Sequence, residues 1–152
     1  MKKFILITIT CLLLFAGIVV AQPANDEPCF ATPLTVQPGT LFDEVCTSGT
    51  FYSYTGATFT TNPANGCLNA NPDVWFSAVV PTTGNIMFNT SAATPNDLVM
   101  TVYTATLCSG TFTQIACNDD GGDQTIGVYN PITRLTGQTP GSILFIRVKA
   151  YN

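Results

Sequence analysis

Asp73-Val74-Trp75-Phe76-Ser77-Ala78-Val79-Val80-Pro81 is almost uninterrupted in its apolar character and holds the chain's one tryptophan. Asn71-Pro72 precedes it and Pro81-Thr82-Thr83-Gly84 follows it. An apolar, β-rich run of this length between turn residues reads as a strand buried on both faces. We read it as the central strand of a sandwich.

Outward from this stretch, short strand candidates recur along the chain. Before it lie residues 34–36, 40–42, 50–55 and 57–60, then a loop at 62–72 carrying Pro63 and Asn65-Gly66. After it come residues 86–90, 98–104, 114–117, 125–129, 132–135 and 142–150. In the last of these, Ile143, Phe145, Arg147 and Lys149 alternate with Leu144, Ile146 and Val148. That alternation predicts one apolar face and one charged, solvent-facing face at a sheet edge. Regular strand–turn spacing without a helix-forming run predicts an all-β chain, an antiparallel β-sandwich.

The N-terminus reads as a targeting segment. Lys2 and Lys3 precede an apolar run over 4–20, and Val19-Val20-Ala21 offers small residues for cleavage after Ala21. The expected organisation is a signal peptide over 1–21, a polar lead-in over 22–33 and the sandwich over 34–152. The expected location is extracellular or at the cell surface, with no membrane attachment after cleavage. Without Lys2 and Lys3, three basic residues remain against nine acidic ones. So acidic a chain has no electrostatic footprint for nucleic acid or anionic lipid.

Removal of the leader leaves Cys29, Cys46, Cys67, Cys108 and Cys117, and an oxidising compartment makes disulfides the default. Cys108 and Cys117 flank the turn Ser109-Gly110 and are the first expected pair, closing a small ring worth about 2.7 kcal/mol. Cys46–Cys67 is the second, with Cys29–Cys46 its competitor. The favoured scheme leaves Cys29 without a partner.

The chain has no histidine, which excludes Ser-His-Asp and Cys-His catalysis. A carboxylate pair drawn from Asp73, Asp119 and Asp120 is the only route left to a small hydrolase, and nothing in the sequence marks it. Asn118-Asp119-Asp120-Gly121-Gly122-Asp123 is denser in oxygen ligands and is a calcium candidate through Asn118, Asp119, Asp120 and Asp123. Tyr52 and Tyr54, two apart on a strand candidate, form the best exposed pair for stacking on a polymer. Trp75, inside its apolar run, is expected in the core.

Several stretches together resemble one family. They are 25–34 (Asn-Asp-Glu-Pro-Cys-Phe-Ala-Thr-Pro-Leu), Asp73-Val74-Trp75-Phe76 and Pro81-Thr82-Thr83-Gly84-Asn85-Ile86. Tyr103 with Cys108, Ile115-Ala116-Cys117-Asn118-Asp119-Asp120, Leu135-Thr136, Pro140-Gly141 and Ile146-Arg147-Val148 complete the ordered set. In this order they resemble the bacterial pre-peptidase C-terminal (PPC-like) β-sandwich found in secreted, multi-module Bacteroidetes proteins.

The resemblance implies a jelly-roll-like, non-catalytic module appended to enzymes or adhesins. Its expected partners are an extracellular polysaccharide or protein and other modules of a longer chain. It also implies calcium as a cofactor, held by Asn25, Asp26, Glu27 and Asp73. Family members continue with a Gly-x-Phe-x-x-x-Val strand where this sequence stops at Asn152. The expectation is therefore a sandwich lacking its final strand, with an unpaired edge. A surface or adhesion subunit that assembles by strand exchange is the alternative reading.

Overall fold

In a computed structural model of the chain, the described residues are 21–39, 49, 51–63, 66–67, 70–91, 97–121 and 129–151. Residues 1–20 of the expected leader, Cys46, Asp123, the strand candidate at 40–42 and all but Tyr129 of the candidate at 125–129 lie outside them. A 3-10 turn (Pro28–Phe30) leads into β1 (Thr32–Pro33), followed by β2 (Asp73–Val79), β3 (Ile86–Asn89) and β4 (Leu98–Thr104). Then come β5 (Thr113–Asn118), β6 (Ile132–Leu135) and β7 (Ile143–Ala150). They form a five-stranded sheet, ordered β1-β2-β7-β4-β5, and a two-stranded sheet of β3 and β6. The fold is an all-β sandwich.

Side chains alternate across each strand, so the large sheet has two distinct faces. Val74, Phe76 and Ala78 of β2, Met100 and Val102 of β4, and Leu144, Ile146 and Val148 of β7 share one face. They pack against Ile86 and Phe88 of β3 and Leu135 of β6, and this is the inter-sheet core. On the opposite face, Trp75, Tyr103 and Phe145 form a second cluster with Ala31, Ala105, Cys108 and Phe112. The lead-in and the β4–β5 connection therefore roof the outer face, and the large sheet is the middle layer.

That roof corrects several expectations. The centre of the sheet is β7, between β2 and β4, and β2 lies one place out. Arg147 and Lys149 do share a face, but it is the roofed one, where they are 1% and 2% exposed rather than solvent-facing. Burial, then the neighbouring Arg147 charge, pulls the Lys149 ammonium below its ordinary value, and Asp73 opposes them. The last strand is flanked on both sides rather than lying at an edge. One pairing, β1 with β2, is parallel because the lead-in runs alongside β2 in the same direction.

The candidate strand at 34–36 gives way to pairing one step earlier, at Thr32–Pro33, with Leu34 N donating to Ser77 O at 2.7 Å as its last bond. Residues 51–60 join no ladder. A turn interrupts them where Ala57 N donates to Tyr54 O, and Gly56 takes a φ of 80° that a side chain would resist.

Both expected disulfides are also corrected. Cys29 bonds Cys108, with Cα atoms 4.8 Å apart, and Cys67 bonds Cys117, with Cα atoms 5.6 Å apart. Cys108 sits in the β4–β5 connection, whereas Cys117 lies opposite Thr101 toward the far end of β5. An extended strand gains about 3.3 Å per residue, so the hairpin drives these two cysteines apart instead of together. Each then meets a residue from the roof: Cys108 the lead-in, and Cys117 the loop carrying Cys67.

Candidate functional site

The lead-in is knitted to β2 through backbone groups that an edge strand would leave open. Trp75 N donates to Asn25 O at 2.8 Å, and Asn25 Nδ2 returns a bond to Trp75 O at 3.0 Å. Asp26 reaches sideways, accepting from Thr58 N at 2.7 Å and from Thr58 Oγ1 at 2.6 Å. Asp73 N donates to Thr58 O at 3.0 Å. The residues expected to precede the sandwich are thus part of its packed body.

Asp73 is the hub of this region and is fully buried. Register sets Arg147 of β7 opposite Trp75 and diagonal to Asp73, so one strand's acid meets the next strand's base. Asp73 Oδ2 accepts from Arg147 Nη2 and from Thr60 N at 3.0 Å. Its Oδ1 accepts from Thr60 Oγ1 at 2.6 Å and from Trp75 Nε1 at 2.7 Å. Arg147 also donates from Nη1 to Pro63 O at 3.2 Å and from Nη2 to Thr60 O at 2.9 Å. Its guanidinium lies over the Phe59 ring at 5.0 Å and the Trp75 ring at 5.6 Å. A buried charge is tolerable only with such compensation.

The calcium candidates fall into two groups. Asn25, Asp26 and Asp73 do come together, but both oxygens of each carboxylate already accept protein hydrogens. A cation that requires 6–8 oxygen ligands does not fit a set so occupied. Glu27 is exposed beside them. Partial burial and the charges of Asp26 and Asp73 raise its carboxyl above the ordinary value, against the pull of Arg147.

The second group is Asn118, Asp119 and Asp120, joined by Asp97, which the sequence reading missed. Burial, then Asp120 and Asp119, raise the Asp97 carboxyl. Asn118 Nδ2 donates to Ile132 O at 2.8 Å. Stepping from Asp73 through Lys149 and Val99 to β5 crosses three strand spacings. That is about 14 Å, so the two groups cannot share one ion. Among the described residues, no three His, Cys, Asp or Glu side chains are grouped so as to hold a metal.

The raised Glu27 value carries a pH prediction. A carboxyl that binds its proton more tightly when folded loses stability as pH climbs from the ordinary carboxylate range through the raised value. Glu27→Gln should match the parent in acid and exceed its melting temperature at neutral pH, with a gain that salt diminishes. Melting curves at pH 4 and pH 7 in low and high salt check it.

Tyr52 and Tyr54 do not form a matched exposed pair. Tyr52 leans edge-on against Phe76, with centroids 4.9 Å apart and planes at 69°. Tyr54 is half-buried, and burial followed by Asp73 pushes its hydroxyl up. Trp75 lies in the core, as its sequence context predicts.

The open chemistry lies at the far end of the roofed face, in a cavity of about 560 Å³. Its lining includes Asn62, Ser109, Thr111 and Gln114, with the rings of Phe112 and Tyr103. Phe112 packs on Phe145 at 5.3 Å, Trp75 at 5.7 Å and Tyr103 at 5.8 Å, which joins the cavity to the second core. Sequence reasoning passed over these residues because short polar side chains in loops carry no period. Only the turn signals Asn62-Pro63 and Ser109-Gly110 marked the spot.

Gly66 stands behind the cavity against Thr101 Oγ1 and Tyr103 Oη, where a Cβ would clash. Thr101 and Tyr103 are buried and have little room to yield. Gly66→Ala should therefore cost about 1–3 kcal/mol, read as a lower urea midpoint.

No helix among the described residues is long and apolar enough to cross a membrane. A scan against family models and searches of curated proteins and of solved structures find no match to this chain.

Proposed function

We propose that this chain is a secreted, non-catalytic sandwich module that binds or spaces an extracellular polymer or protein, of the PPC-like kind. One observation carries the reading. Asp73, the acid of the tryptophan strand, is enclosed and spent on holding Arg147, Thr60 and Trp75 in place. A carboxylate so committed serves architecture rather than acid–base work, which needs reach to a substrate proton. The two disulfides favour an oxidising compartment.

Calcium, on this reading, would sit at the Asn118-Asp119-Asp120 turn, with backbone carbonyls completing its oxygen ligands. The test is co-sedimentation of the whole chain with insoluble neutral polysaccharides and with fibrous protein, with and without millimolar calcium. Retention on one polymer class is expected. Absence of retention on all of them would sink the module reading. A melting temperature that does not rise with calcium would remove calcium alone.

A further inference from the structure

Besides Asp73 and its partners, the roofed face carries the cavity at the β4–β5 connection. Its volume of about 560 Å³ suits a small ligand or a few units of a polymer. Among the described residues its lining holds no charged side chain. Asn62 and Gln114 offer amides, and Ser109 and Thr111 offer hydroxyls, so every one of these side chains can both donate and accept. Half-buried Phe112 and the Tyr103 ring add flat apolar surface. Tyr103 is 2% exposed, with its Oη enclosed beside Gly66 and Thr101 Oγ1 and only its ring facing the cavity.

The connection that carries Ser109 and Thr111 is braced beforehand. Cys108, immediately before Ser109, is tied to Cys29, and Gly110 N donates to Leu107 O at 3.0 Å. A loop already fixed loses little entropy on binding.

We propose that this cavity binds a neutral, hydroxyl-rich oligosaccharide segment, a proposal that rests on the binding-module reading and gives it a site. Among the described residues the lining offers no counter-charge for a phosphate, carboxylate or amine, and the net charge of −4 disfavours polyanions. An extended peptide would add along the backbone of an edge strand. The cavity instead presents side chains from separate loops, with Gln114 near the start of β5.

The experiment is titration calorimetry of the whole chain. The probes are cello-, laminari-, manno- and xylohexaose, an oligogalacturonate, and an uncharged Pro/Gly-rich peptide. At least one neutral hexasaccharide should bind with sub-millimolar affinity. Thr111→Ala with Gln114→Ala should weaken it about tenfold, as loss of ligand hydrogen bonds does.

Three results overturn the assignment: no neutral hexasaccharide binds, the acidic sugar or the peptide binds in preference, or affinity is unchanged in this variant. If polymer retention survives the cavity variant and is lost in Tyr52→Ala with Tyr54→Ala, the module reading stands and the cavity assignment falls. If the parent chain binds no polymer at all, both fall.

Discussion

Arg147→Met should destabilise the folded chain by about 3–5 kcal/mol, because it leaves the fully buried Asp73 carboxylate without its counter-charge. Methionine fills much of the same volume, so the loss reads the charge and hydrogen bonds more than a void. The carbonyls of Thr60 and Pro63 lose their donors in the same step. Urea unfolding followed by Trp75 fluorescence measures the effect directly, since Trp75 Nε1 donates to the same carboxylate. Against a total stability of about 5–15 kcal/mol, a change of this size endangers folding. A variant that unfolds at the parent's midpoint would show that the pair contributes little.

The next largest effect belongs to the disulfide between Cys29 and Cys108. It joins residues 79 apart in sequence, and the chain-entropy estimate for such a loop is about 4.5 kcal/mol. Cys29→Ser with Cys108→Ser, made together so that no lone thiol remains, should lower the urea midpoint by a large fraction. The second bond, spanning 50 residues, closes a shorter loop that overlaps the first. Losses from the two bonds should therefore not add. The double-serine variant should also release the 29–31 lead-in from the cluster of Trp75, Tyr103 and Phe145, because Ala31 and Cys108 both pack there. Near-ultraviolet circular dichroism of those aromatics reports that loosening. An unchanged spectrum and midpoint would contradict the bracing role.

Much of both sheets was legible in the sequence. The run at Asp73 through Val79 declared itself by unbroken apolar character between turns, and β3, β4, β5, β6 and β7 fell close to their candidates. Two kinds of information were missing. Arg147 and Lys149 read as solvent-facing because charge normally marks the outside, and no local pattern says that residues 73 and 147 meet. The error came from tertiary compensation, in which one buried charge licenses another. The disulfides failed for a related reason. A turn between Cys108 and Cys117 suggested proximity, while the hairpin it belongs to extends one arm away. The aromatics at 52 and 54 were judged by spacing on a strand that does not form, and the cavity residues had no period to judge. What single-sequence reading captured was periodic burial; what it missed was which distant polar groups complete one another.

The order of the bridged cysteines, 29, 67, 108 and 117, makes the two covalent loops interlace. A protease that cuts any one peptide bond between Cys29 and Cys117 therefore releases nothing. A cut before Cys108 is spanned by the first bridge, and a cut after Cys67 by the second. Outside a cell, where degradative enzymes are common, a nicked copy would remain one covalent body. It should migrate as a single species on a non-reducing gel and separate into two pieces only when its disulfides are reduced.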